Sequence, residues 1–209
     1  MNKIYFTADD VAQMLGVSRG QAYKVIKRLN EELEKKKYIL LSAHREENID
    51  TEKNFLSLFN GINAVAEKYG MPVLYSCHPR SKKRLDATGF KLDSRVIMHE
   101  PLGFHDYNNL QMNAFAVISD SGTLPEEASF YTSVGKPLSA VCIRTSTERP
   151  EAVDKGLFVL AGISEGGLIG AVETAVSMRE NGDAGIPVPD YADENVSAKV
   201  VKIIQSYTG

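Results

Sequence analysis

The sequence predicts an α/β fold, a doubly wound parallel sheet preceded by a helical hairpin, and three observations predict it. From residue 38 onward, apolar runs of strand length alternate with segments whose apolar residues recur at helical spacing. A helix between each pair of strands implies right-handed crossovers, hence parallel pairing with helices on both faces. Before residue 37 the pattern is helical only, and its charge differs from that of the rest.

The first element is a candidate helix-turn-helix over residues 1–37. Thr7 offers an N-cap with Asp10 three residues later, a variant of the capping box. Val11, Ala12, Met14 and Leu15 follow as an apolar face, and Gly16 stands where a helix-ending glycine takes positive φ. Ser18 caps a second helix with Ala22, Val25, Ile26 and Leu29 as its buried stripe. Arg19, Gln21, Tyr23, Lys24, Lys27 and Arg28 then share the exposed side, where a recognition helix presents donors to bases and phosphates. Residues 6–26 resemble the small excisionase-like helix-turn-helix modules of phage and bacterial regulators. DNA is accordingly one expected partner. The competing reading is an exposed hairpin with merely solvated charges, and Glu31, Glu32 and Glu34 would repel phosphate.

From residue 38 to 209 the elements alternate. Residues 38–42 read as a buried strand, 54–69 as an amphipathic helix with Phe55, Leu58, Phe59, Ile62, Val65 and Ala66 on one side, and 73–76 as a strand. A short basic helix over 80–87 leads to a strand at 96–99, and a helix over 107–113 to a strand at 116–119. The helix over 124–133 stops at Gly135, and a strand follows at 138–143. A short helix over 149–154, a strand at 157–160, a long helix over 165–180, a Pro-rich crossing and an amphipathic helix over 195–207 complete the series.

Composition sets the outer bounds. The 209 residues and 23.0 kDa fit one medium domain, or a smaller one with an appendage. A hydrophobic share of 43% with 24% charged residues excludes global disorder. No apolar run approaches a membrane span and the first residues lack a signal-peptide core, so a cytoplasmic protein is expected. Cys77 and Cys142 each sit in an apolar run, which favours two buried thiols over a disulfide or metal pair. Neither a metal nor a cofactor is expected. Residues 1–37 carry eight basic against five acidic side chains, a net +3, which leaves −6 on the remainder of a chain whose net charge is −3.

Ligands of doubly wound sheets sit beyond the carboxyl ends of the strands, so those loops carry the functional argument. They read Ser42-Ala43-His44-Arg45-Glu46-Glu47-Asn48, Cys77-His78-Pro79-Arg80, Ser119-Asp120-Ser121-Gly122-Thr123, and Arg144-Thr145-Ser146-Thr147-Glu148-Arg149. Ser121, Gly122 and Thr123 open a helix, where backbone N–H groups and the positive dipole end favour an anion and a glycine permits close approach. His44, Arg45, Arg144 and Arg149 would add charge-assisted donors. Glu127, one turn on, has the reach to accept from both hydroxyls of a ribose. Glu126 reads as a solvated helix residue. Phosphate and diol recognition together point to a nucleotide or nucleotide-sugar.

Four segments, residues 44–48, 119–128, 135–137 and 147–152, strongly resemble the non-hydrolysing UDP-N-acetylglucosamine 2-epimerases. The His78-Pro79-Arg80 and Ser121-Gly122-Thr123-Leu124-Pro125 variants look most like the branch acting on UDP-N-acetyl-6-deoxyhexosamines in capsule and O-antigen synthesis. The resemblance runs over residues 37–209 and implies one of two Rossmann-like halves of a GT-B arrangement, the half that holds UDP. It implies that His44 is the catalytic residue of this half and approaches the phosphates. Ser121, Gly122 and Thr123 would hold the pyrophosphate, Glu127 the ribose, and Arg149 the phosphate or sugar side, with Tyr107 near the uracil. Thr123 stands where the family usually has a second glycine. In the family, C2 epimerisation proceeds by proton loss with elimination of UDP, then re-addition from the other face, and the acid–base carboxylates are expected from the N-terminal half. The partners implied are UDP or a UDP-N-acetylhexosamine, a separate N-terminal epimerase half, and a second copy of the chain. On this reading the chain does not epimerise alone. The alternatives are a helix-turn-helix protein with a UDP-sugar sensor, or a chimera without activity of its own.

Overall fold

Strands in the computed structural model, which describes residues 36–45, 48 and 50–208, form one six-stranded parallel sheet. The hairpin expected over residues 1–37 lies outside the described residues apart from its last two. In chain order come β1 (Ile39–Ser42), α1 (Glu52–Tyr69), β2 (Val73–Ser76), α2 (Pro79–Thr88), β3 (Val96–His99), α3 (Phe104–Asn113), β4 (Ala116–Ser119) and α4 (Leu124–Ser133). Then follow β5 (Ala140–Cys142), α5 (Pro150–Asp154), β6 (Val159–Leu160), α6 (Glu165–Glu180), a 3₁₀ turn at Pro189–Tyr191, and α7 (Val196–Thr208). The spatial order β3-β2-β1-β4-β5-β6 confirms the doubly wound expectation.

Alternation along each strand supplies both cores. In β1, Ile39 and Leu41 face one side with Ala43, while Leu40 faces the other with Tyr38. The first side is closed by α1 and α6, with Phe55, Phe59 and Leu168 buried against Tyr75 and Ile118. The second is closed by α3, α4 and α5, with Leu110, Leu124, Tyr131 and Ala152. Gly61 of α1 belongs to the first contact: a Cβ there would lie 3.3 Å from the Leu168 side chain and 3.4 Å from the Glu165 Cα, so its bareness sets the α1–α6 approach.

Element ends follow local chemistry more than periodicity. α1 begins at Glu52, ahead of its first buried residue, because the Thr51 side chain accepts from the Asn54 N–H at 3.2 Å; Gly70 at φ +61° ends it. α2 starts at Pro79, its N-terminus capped by His78, whose Nδ1 accepts from the Arg80 N–H. α3 reaches back to Phe104, whose ring is 77% exposed and therefore gave no periodic signal. β5 and β6 are shorter than their apolar runs, since Leu138 and Leu157 are buried without joining the ladder.

Cys77 and Cys142 are buried thiols with no disulfide, as expected. Among the described residues no helix is long and apolar enough to cross a membrane.

Candidate functional site

The strand order reverses between β1 and β4, and the crevice there is the topological switch point of the sheet. The register aligns the carboxyl ends: Ser42 stands beside Ser76 and Ser119, and Ser119 beside Cys142. Three of the four polar loops singled out in the sequence, those after β1, β4 and β5, therefore emerge side by side.

Asp120 organises them. It is fully buried, and its Oδ2 accepts from the backbone N–H of His44 at 2.9 Å, from that of Arg45 at 2.8 Å, and from the Asn48 amide at 3.1 Å. Its Oδ1 makes no aligned hydrogen bond but lies 3.3 Å from His44 Nδ1. Asn48, buried as well, donates also to the Ile143 carbonyl at 3.0 Å and so staples the β1 loop to β5. From the other side, Tyr75 Oη and Ser81 Oγ both donate to the Ala43 carbonyl. The result fixes the backbone of His44 while its imidazole stays 44% exposed at the switch point, 3.5 Å from Ser42 Oγ.

The start of α4 adds an unbroken polar chain. Ser121 and Thr123 hydroxyls lie 2.9 Å apart, Thr123 Oγ1 donates to Glu127 Oε1 at 2.9 Å, and Gln111 Nε2 donates to Glu127 Oε2 at 2.6 Å. Gln111 is fully buried, so the Glu127 carboxylate is held from the core by Gln111 and from the helix start by Thr123. The branched side chain of Thr123, in place of a glycine, is absorbed by this chain of hydroxyls. Arg45 reaches across: a Cβ on Gly122 would lie 3.0 Å from its Nη2, so the glycine makes room for the guanidinium at the helix start.

The remaining cations are braced by carboxylates. Glu148 binds Arg144 at 3.0 Å and Arg45 at 3.5 Å, and the two cations hold its carboxyl below its ordinary range. Arg149 makes two hydrogen bonds to Glu126, at 3.0 and 2.8 Å. This corrects the expectation that Glu126 is merely solvated: at the first turn of α4 it faces the loop after β5 and orients the arginine. Tyr107, in the first turn of α3, sits half-buried on the second core; burial, then the Glu127 charge, raises its phenol above the ordinary range.

Ser121, Gly122, Thr123, Glu127, His44 and Arg149, together with Tyr107, thus stand on the loops and first turns around β1, β4 and β5. The loop after β2 is turned to other work: His78 caps α2, and Arg80 pairs with Asp50 at 2.9 Å. The five residues proposed for DNA, Arg19, Gln21, Lys24, Lys27 and Arg28, lie outside the described residues. Sequence reasoning assigned no role to Asp120, Asn48 or Gln111. For Asp120 a signal existed, an acid placed directly after the strand Ala116–Ser119; Gln111 had none, being one polar residue in a helix.

A family model described as UDP-N-acetylglucosamine 2-epimerase matches residues 2–205. The chain belongs to the UDP-N-acetylglucosamine 2-epimerase family. Its relatives include the UDP-N-acetylglucosamine 2-epimerase of Methanocaldococcus jannaschii, 33% identical over 148 residues that make up 69% of this chain and 39% of that protein. That of Methanococcus maripaludis is 34% identical over 154 residues, 72% of this chain and 41% of that one. Among solved structures, M. jannaschii UDP-GlcNAc 2-epimerase in complex with UDP-GlcNAc and UDP superposes with a TM-score of 0.70 at 26% identity, over 88% of this chain and 49% of that one. The chain spans about half the length of these epimerases or less. Three of the four segments that resemble the epimerases, residues 44–48, 119–128 and 147–152, supply the loops at the switch point, while residues 135–137 lie at the other end of the strands.

Proposed function

We propose that this chain is a UDP-sugar-holding domain of a 2-epimerase, taking a UDP-N-acetylhexosamine at the β1/β4 switch point. The observation that carries it is the convergence there of the His44–Arg45 loop, the Gly122 opening of α4 and the Glu127 carboxylate held by Gln111 and Thr123. In this reading the diphosphate lies at the start of α4 between Arg45 and His44, the ribose hydroxyls donate to Glu127, and Arg149 reaches the phosphate or sugar side. Tyr107 lines the base side, and His44 is the residue of this domain nearest the breaking bond to UDP. The solved M. jannaschii complex with UDP-GlcNAc and UDP supports the ligand class. Calorimetry with UDP, UDP-GlcNAc and ATP tests it: UDP and UDP-GlcNAc bind the wild type, ATP binds more weakly, and His44→Ala weakens both uridine ligands. Equal affinity for all three, or for none, would overturn it.

We infer also that the described residues hold the ligand without supplying acid–base chemistry at carbon. Four carboxylates at this edge among the described residues are committed: Asp120 to three N–H donors, Glu127 to Thr123 and Gln111, Glu126 to Arg149, and Glu148 to Arg144 and Arg45. A general base at C2 needs an uncommitted group within reach of that proton. Exchange of the C2 proton of UDP-GlcNAc in D2O, followed by NMR on the purified chain, is expected to stay at background; turnover would refute this. The choice of a 6-deoxy sugar is a narrower proposal, resting on the sequence resemblance of the His78-Pro79-Arg80 and Ser121-Gly122-Thr123-Leu124-Pro125 variants alone and tested by comparing UDP-N-acetyl-6-deoxyhexosamines with UDP-GlcNAc. DNA binding by residues 1–37 is a separate proposal resting on their basic helix pattern; fluorescence anisotropy at low salt tests it, and no binding there removes it.

A further inference from the structure

At the opposite end of the strands, a strand's length from the switch point and on the order of 10–15 Å away, three cations converge to which the UDP-binding reading assigns no role. Lys36, Lys136 and Arg179 line a cavity of about 510 Å³ together with Asn109 and Asn113. They come from three parts of the chain: the segment entering β1, the turn after α4, and the last turn of α6. The site is built, since two of the three are anchored through backbone carbonyls. Lys36 Nζ donates to Met112 O at 3.3 Å and to Ala114 O at 3.0 Å, its N–H to Asn113 O at 2.8 Å, and Arg179 Nη1 to Phe115 O at 2.9 Å. Lys36 holds a left-handed φ of 63° to make these contacts, a conformation uncommon for a residue with a side chain.

Carbonyl dipoles orient the two charges but do not cancel them. No carboxylate lines the cavity among the described residues, and Glu180, whose charge acts on Arg179, is not part of its wall. Burial and the Arg179 charge push Lys36 down to about 8, and burial also lowers Arg179. Like charges brought together in a partly desolvated cavity are costly alone and favourable around a multivalent anion.

We propose that this cavity is a second ligand site, one that takes a small phosphate-class polyanion between Lys36, Lys136 and Arg179, separate from the site at the switch point. Arg179 supplies the planar donor fork and Lys136 a mobile ammonium at the rim, a combination suited to a diphosphate group. It has no part in the UDP reading, and either stands without the other.

The probe is inorganic pyrophosphate, titrated into the ¹⁵N-labelled full chain with UDP saturating the switch-point site. The amides of Lys36, Asn113, Lys136 and Arg179 are expected to shift together on a single isotherm. Lys136→Glu, a change at an exposed rim position, is expected to weaken that isotherm at least tenfold while UDP affinity stays within twofold. Arg179→Lys, which keeps the charge but not the fork, should give an intermediate loss. Shifts confined to Gly122 and Thr123, no shifts at all, or unchanged pyrophosphate binding in Lys136→Glu would each overturn the proposal. Loss of UDP binding in the wild type would speak against the switch-point reading alone.

Discussion

Replacing Asp120 by alanine should unfasten the candidate site and the sheet beneath it together. One buried carboxylate oxygen accepts from two backbone N–H groups and one side-chain amide, at 2.9, 2.8 and 3.1 Å. Hydrogen bonds to a charged acceptor contribute roughly 1.5–3 kcal/mol each, and removing one partner of a buried charged network typically costs about 3–5 kcal/mol. Here the Asn48 amide keeps its bond to the Ile143 carbonyl, and the His44 and Arg45 amides lie on a loop that water can enter. The expected loss is therefore at the lower end, about 3 kcal/mol. Asp120→Asn keeps one carbonyl oxygen in place and loses the charge, for roughly 1–2 kcal/mol within the range for a weakened buried bond. Urea unfolding followed by circular dichroism gives both numbers, with the slope unchanged if the native state is otherwise intact. A loss below about 1 kcal/mol for Asp120→Ala would refute the role of Asp120 as the hub, because it would mean the three donors are served equally well by solvent.

Other outcomes follow from the same contacts. Phe59→Ala removes a fully buried ring packed against Phe55, Tyr75 and Phe90, and should cost about 3–5 kcal/mol in the same unfolding assay. Gly122→Val places a branched side chain where a Cβ already lies 3.0 Å from Arg45 Nη2, and should weaken UDP by about tenfold or more, that is about 1.4 kcal/mol, by calorimetry. Gln111→Leu frees Glu127 on its buried side and should narrow the preference for UDP over 2′-deoxy-UDP. Arg95 holds the Asp93 carboxyl down at about 2 by hydrogen bonds, against an ordinary 3.8. With the folded value below the unfolded one, the stability it contributes is present above about pH 4 and lost as pH falls through 2. Carbon-detected NMR titration of Asp93 should show its midpoint rise toward 3.8 in Arg95→Gln.

The fold was legible because burial on both faces writes itself into composition. Strands such as Val96–His99 and Ala116–Ser119, and helices such as Leu124–Ser133 and Glu165–Glu180, have the bounds that the apolar runs predict. The exceptions, Phe104 at the start of α3 and the short β5 and β6, are places where a cap or a missing ladder partner decides and periodicity is silent. At the site, the charged and hydroxyl side chains could be picked out because loops after apolar strands carry few other reasons to be polar. What holds them could not. Asp120, Asn48 and Gln111 act through buried hydrogen bonds to residues 16 to 95 positions away, and the Glu126–Arg149 pair spans 23. Such pairings depend on register and crossover, which a single chain read in order does not display. The cavity of Lys36, Lys136 and Arg179 is the same case: three ordinary surface cations in sequence, one cluster once β4 and α6 are side by side.

The most direct test of the account is the titration of UDP into the ¹⁵N-labelled chain at low salt. The account predicts that the amides of His44, Arg45, Gly122, Thr123 and Glu127 shift on one isotherm, and that this isotherm moves to about tenfold higher UDP or beyond in Gly122→Val. Saturable UDP binding with those amides unmoved would contradict it.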